Sequence, residues 1–143
     1  MLLDVDCIFC KIIRKSISAK VITQNERAIA FLDAFPLSVG HTLIIPKLHC
    51  SKVQDMDEEH SSDVFNLLWK VSGAIEKAVG VDSSTIAIHN GRESGQEVSH
   101  VHIHIIPRTS DDGAGPVHSM FKKRPHLSHK QFDLIRANIE RML

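Results

Sequence analysis

The sequence predicts an α+β protein, with five strands in a mainly antiparallel sheet, one long helix against that sheet and a second helix at the C-terminus. Three observations carry this expectation. Short apolar runs bounded by turn residues occur at 20–24, 28–34, 41–46, 84–90 and 100–107. One apolar stripe of helical period, Val64, Leu67, Leu68, Val71 and Ile75, separates the third run from the fourth. The other connections are short, which favours antiparallel neighbours and leaves the long helix to cover one face of the sheet.

In order along the chain, "KVITQ" and "AIAFLDA" are separated by the turn-like "NER" and read as a β-hairpin. "HTLIIP", introduced by Gly40 and closed by Pro46, reads as a third strand. The long helix, near residues 57–79, is expected to begin at a capping box of Asp55 and Glu58 and to stop at Gly80. "STIAIHN" is a fourth strand and "HVHIHIIP" a fifth, joined by the glycine-containing loop from Gly91 to Gly95. Residues 109–127 show no period and read as a long surface loop. A terminal helix follows from Ser128, with Gln131 completing a second capping box and Phe132, Leu134, Ile135 and Ile139 as its apolar side. No repeat or low-complexity tract marks a boundary, so residues 1–143 read as one unit with a core of about 7–108 and a C-terminal loop and helix over 109–143.

Hydrophobic residues at 43% and charged residues at 24% are the composition of a globular chain that folds alone or as a small oligomer. Lys plus Arg and Asp plus Glu each number 17, so no global positive field exists to hold a long polyanion, and stable nucleic-acid binding is not expected. The start, "MLLDVDCIFC", is acidic where a secretory signal is basic, and no apolar stretch approaches the roughly 18 residues of a membrane span. The expected location is the cytoplasm, with the nucleus also open. In a reducing compartment Cys7, Cys10 and Cys50 read as thiols or metal ligands rather than a disulfide frame. Ten histidines against no tyrosine make histidine the side chain to follow.

The densest cluster is "HVHIHIIPR", residues 100–108. Successive strand side chains point to opposite faces, so His100, His102 and His104 share one side while Val101, Ile103 and Ile105 take the other. Two chemistries suit such a row. The histidines could ligate a catalytic zinc that keeps a site for water, or the middle imidazole could attack phosphorus and form a phosphoramidate that water then hydrolyses. "CIFC" bears on the choice, since Cys7 and Cys10 have the spacing of half a zinc site, although a redox pair or two buried apolar thiols would look the same. His49, in "IIPKLHC", offers a third ligand, with Cys50 in competition for that place, and His100 a fourth. If Cys7, Cys10, His49 and His100 close around one zinc per chain, the ion has no open position, and His102 and His104 are free for chemistry.

"HVHIHII" fits at every position the His-φ-His-φ-His-φ-φ signature, with φ apolar, and so resembles the histidine triad, or HIT, family. "CIFCKII", "AFLDAFPLSVGHTLIIPKLH" and "NGRESGQEVSHVHIHIIPR" fall in that family's order as well. The resemblance implies a homodimer that hydrolyses or transfers at the α-phosphate of a nucleotide, usually adenosine, with no organic cofactor. Carried onto this chain, it implies that His102 is the nucleophile, that His104 and His41 hold the phosphate oxygens or orient the ring, that Asp33 contacts the ribose hydroxyls and that Gln96 lines the α-phosphate. It implies a structural zinc on Cys7, Cys10, His49 and His100, as in the small bacterial-type members. The "IIPR" ending and the long tail resemble the dinucleoside-polyphosphate-cleaving and bacterial-type branches, and the Trp-Pro-Pro-Gly terminus of the phosphoramidase branch is absent. The alternative function is a nucleotide-binding regulatory protein with vestigial hydrolysis. Two positions depart from the family pattern. His89 stands where many members have Asn or Gln bonded to the nucleophile or phosphate, and Glu97 stands where several have Ser or Thr near the leaving group. A carboxylate there could serve as an acid only if its pKa were raised, and would otherwise repel a polyphosphate tail.

Overall fold

The computed structural model of the chain describes residues 3–143. It comprises two compact units, the first ending at Ser110 and the second Asp111–Leu143. In the first unit lie α1 (Ile8–Ile13), β1 (Val21–Gln24), β2 (Ala28–Leu32), β3 (Thr42–Pro46), α2 (Glu58–Val79), β4 (Ser84–Ala87) and β5 (Ile103–Pro107). The five strands form one sheet in the order β1-β2-β3-β5-β4, and every neighbouring pair is antiparallel. The predicted fold class is therefore the observed one.

Period-two alternation sorts the strands' side chains into two cores. Ala28, Ala30, Ile44, Ile103 and Ile105 pack under Val64, Leu67, Val71 and Ile75 of α2. Ile29, Phe31, Leu43 and Ile45 face the other way and meet Phe9, Ile12 and Ile13 of α1. The sequence reading missed α1. Its apolar residues at positions 9, 12 and 13 have the i, i+3, i+4 spacing of a helix face, which was the available signal.

α2 starts later than the expected box. Its N-cap is Asp57, which accepts from the His60 N–H at 2.8 Å, while Asp55 sits in a preceding 3₁₀ turn and accepts from the Lys52 N–H at 3.1 Å. Asp57 wins because it stands directly before the first helical residue, where a short carboxylate reaches the third N–H. At the other end Gly80 takes the left-handed conformation expected of it.

β5 is shorter than the run that announced it. Pro46 ends β3 and has no N–H to continue the ladder, so His100–His102 lie outside it, and the Val101 N–H donates to the Cys50 carbonyl instead. In the second unit, α3 (His129–Glu140) has the predicted box, with Ser128 Oγ accepting from the Gln131 N–H and Gln131 Oε1 from the Ser128 N–H. A 3₁₀ turn over Val117–Met120 interrupts the preceding loop, and Phe132, Leu134, Ile135 and Ile139 are exposed.

Candidate active site and metal centre

Val101, Ile103 and Ile105 are almost completely buried, the two isoleucines in the core under α2, which puts His100, His102 and His104 on the opposite face. There each imidazole meets a different partner that fixes its tautomer. His100 Nε2 donates to the Pro46 carbonyl at 2.9 Å, which leaves Nδ1 with a bare lone pair. His102 Nδ1 donates to the His100 carbonyl at 2.8 Å, which leaves Nε2 bare. His41 Nδ1 accepts from the Leu37 N–H at 3.0 Å, so His41 Nε2 carries the proton and donates it to His104 Nδ1 at 2.9 Å. His104 then bears its own proton on Nε2. The row therefore presents a lone pair, a lone pair and a donor, in that order.

Burial keeps these rings neutral. It pushes His104 down to about 4, aided by the neighbouring His102 and His41, and it lowers His102 and His41 below the ordinary 6.5 despite the opposing charge of Asp33. Phe9 supplies part of that burial, with its ring edge-on to His102 at 5.1 Å and to His100 at 5.7 Å between centroids. The sequence reading did not single out Phe9.

The bare Nδ1 of His100 points at sulfur. It lies 3.5 Å from Cys7 Sγ and 3.6 Å from Cys10 Sγ, and Cys10 Sγ is 3.3 Å from His49 Nδ1. Zinc–sulfur and zinc–nitrogen bonds in a tetrahedron put such donors roughly 3.5 Å apart, and all four donor atoms lie within 4.8 Å of one another. The surroundings suit a cation too. The Pro46 carbonyl orients His100, and Asp4 Oδ2 lies 3.7 Å from the second nitrogen of His49. Burial pushes the Cys10 thiol up to about 11, so at neutral pH it keeps its proton unless a metal replaces it. Cys50 takes no part, because it is turned toward the Leu48 carbonyl at 3.8 Å. The four residues thus fit a closed zinc site.

Asp33, His41 and His104 also come within 4.8 Å of one another. That cluster does not suit a metal, because the Leu37 N–H holds the His41 proton on the one nitrogen that faces the group. Within it His41 is hydrogen-bonded to His104, and Asp33 stands 3.6 Å from His41 Nε2.

His102, His104, His41, Asp33, His89 and Glu97 all line one cleft of about 780 Å³. Its other wall is apolar, with Ile8, Ile12, Ile17, Phe31 and Leu43. Asp33 spends one carboxylate oxygen on the Phe35 N–H at 2.8 Å and keeps the other 3.6 Å from His41 Nε2. Gln96 stands differently. Its Oε1 accepts from the Gly91 N–H and its Nε2 donates to the Ser51 carbonyl, so the amide braces the loop and is not among the residues lining the cleft. His89 sits beside His104, with 5.7 Å between ring centroids.

Comparison with known proteins agrees with this geometry. The HIT domain model matches residues 14–111. The chain is 39% identical over 106 residues to an adenosine 5′-monophosphoramidase of Schizosaccharomyces pombe, covering 74% of this chain and 77% of that one. A HIT family protein of Bacillus anthracis superposes with a TM-score of 0.87 at 30% identity, over 99% of each chain. A zinc-bound histidine triad family protein of Mycobacterium smegmatis superposes at 0.70 and 28% identity, over 96% of this chain and 95% of that one. The chain belongs to the HIT domain family. Cys7 and Cys10 precede the matched segment, so half of the candidate metal site lies outside the domain's own pattern.

Proposed function

We propose that the cleft cleaves nucleotide conjugates at the α-phosphate, with His102 Nε2 as the nucleophile. The observation that carries this reading is the bond from His102 Nδ1 to the His100 carbonyl, which leaves a neutral, bare Nε2 in a nucleotide-sized cleft. Nε2 forms a bond to phosphorus as the bond to the leaving group breaks, and water then cleaves the P–N bond to release the nucleotide. The His104 Nε2–H donates to a phosphate oxygen, held in that tautomer by His41. Asp33 accepts from the ribose hydroxyls with its second carboxylate oxygen, and the apolar wall receives the base. His89 faces the phosphate from the 89–99 loop that Gln96 braces.

Cys7, Cys10, His49 and His100 would hold zinc. A bound zinc there supplies a closed structural clamp and no water-binding position. We also propose a homodimer, because α2 presents Trp69, 85% exposed, and Phe65 on its outer face; a monomeric mass in light scattering at micromolar concentration contradicts it. Among the described residues no helix is long and apolar enough to cross a membrane.

A rapid quench during turnover of an adenylylated substrate should find an AMP adduct on the peptide holding His102, stable to base and labile to acid. His102→Ala should remove nearly all turnover and leave AMP binding within about tenfold, because the lost interaction matters mainly in the transition state. Full turnover by His102→Ala refutes the mechanism. Binding of AMP without cleavage of any conjugate favours a regulatory binding protein.

A further inference from the structure

We propose that Glu97 sets the specificity of this cleft, selecting nucleotide conjugates whose leaving group is an amine over those whose leaving group is a phosphate or sulfate anion. This deepens the α-phosphate reading and rests on it.

The argument is the distribution of charge around His102. Glu97 is exposed, lines the cleft together with His89, His102 and His104, and lies near enough to His102 for its charge to act on that ring. Among the described residues that line the cleft, the one lysine or arginine is Lys20, which immediately precedes β1. β1 lies three strands from β5, roughly 14 Å across the sheet. That separation exceeds the Debye length of about 8 Å at physiological salt, so Lys20 is screened from the strand that carries His104. His41 and His104 are kept neutral by burial. Asp33, beside His41, faces the ribose in the reading above and supplies no positive charge either. A polyphosphate or sulfate leaving group would thus meet the Glu97 carboxylate with, among the described lining residues, no cation beside it.

An amine leaving group meets the opposite situation. As His102 Nε2 bonds to phosphorus, the bond from phosphorus to the amine nitrogen breaks and the nitrogen keeps the electron pair. It takes up two protons and departs as an ammonium; hydrolysis of the histidine adduct by water returns two protons and yields the nucleotide dianion. The positive charge that develops on the nitrogen is stabilised by the Glu97 carboxylate, and the stabilisation is larger in the transition state than in the uncharged ground-state amide. The charge beside the reacting atoms thus favours an amine.

The test is kcat/KM for an adenosine 5′-phosphoramidate of a primary alkylamine, adenylyl sulfate and diadenosine triphosphate, in the unaltered chain, Glu97→Gln and Glu97→Lys. The unaltered chain should prefer the phosphoramidate. Its advantage over the two anionic conjugates should fall about tenfold in Glu97→Gln, as expected for one unit charge in a part-exposed cleft, and further in Glu97→Lys. High salt should shrink the difference between variants. Ratios that stay the same across the three chains, or that ignore the sign of residue 97, overturn the role of Glu97 and leave the hydrolase reading standing. Absence of turnover of every conjugate by the unaltered chain overturns both.

Discussion

Replacing Gly40 by alanine should cost more stability than replacing Gly80, although both glycines have positive φ, +87° and +75°. Each alanine pays the left-handed penalty of about 1–2 kcal/mol, offset in both by about 0.4–1 kcal/mol from a stiffer unfolded chain. The difference lies in what a Cβ would meet. At Gly80 nothing lies within 4 Å, whereas at Gly40 the new carbon would sit 2.8 Å from Val79 Cγ1 and 3.3 Å from Pro107 Cγ. Neither neighbour yields readily, since a helical valine has one preferred rotamer and a proline ring is stiff. Overpacking of that kind costs about 1–3 kcal/mol. With a urea m-value of about 2 kcal/mol/M, the midpoint of Gly40→Ala should fall roughly 0.5–1.5 M below that of Gly80→Ala in a circular-dichroism titration. Gly40 precedes His41, so relief of the clash by backbone movement should also disturb the His41–His104 bond and lower kcat in Gly40→Ala alone. Equal midpoints for the two variants, or a lower one for Gly80→Ala, would refute the reasoning.

Protein purified without chelator should contain about one zinc per chain, and Cys10→Ser should lower the melting temperature more than it lowers kcat of the folded fraction; metal-free protein with an unchanged melting temperature contradicts the clamp. Because burial lowers His102 below 6.5, kcat/KM should hold down to that pH and decline only below it; an acidic limb centred above 7 speaks against a buried neutral nucleophile. His104 binds its proton near pH 4 in the folded chain and near 6.5 when unfolded. As pH falls through that window the unfolded state takes the proton first, so stability is lost from 6.5 toward 4, and His104→Gln should flatten the slope in denaturant titrations at stepped pH.

Strands, the C-terminal cap and the apolar stripe of α2 were legible because each rests on a local rule: alternation, a Ser-x-x-Gln box, a 3.6-residue period. What escaped were features set by distant main chain. α1 is six residues long, and its cysteines drew attention from the face formed by Phe9, Ile12 and Ile13. Asp55 and Asp57 are equally plausible caps in sequence, and only the chain path chooses. That Cys7, Cys10, His49 and His100 come together was legible down to the choice between His49 and Cys50, which the turn after Pro46 decides by sending Cys50 toward Leu48. No spacing rule could say that Gln96 spends its amide on Gly91 and Ser51, because that depends on how the 89–99 loop folds against residue 51.

The tautomers were equally invisible, yet they divide the labour among three identical side chains. His100 offers Nδ1 to the cysteines because Pro46 takes its other proton; His102 keeps Nε2 bare because the His100 carbonyl holds Nδ1; His104 is a donor because His41 has filled its Nδ1. All three assignments need the imidazoles on the face away from α2. A shift of one residue in the β3–β5 register would exchange the faces, placing His102 and His104 among Ile44, Val64 and Leu67 and turning Ile103 and Ile105 toward the cleft. Burying imidazoles there without partners would cost several kcal/mol in total. The apolar packing under α2 therefore fixes the register of β5, and core residues such as Ile103 and Leu67 keep the imidazoles on the cleft side without lining the cleft themselves.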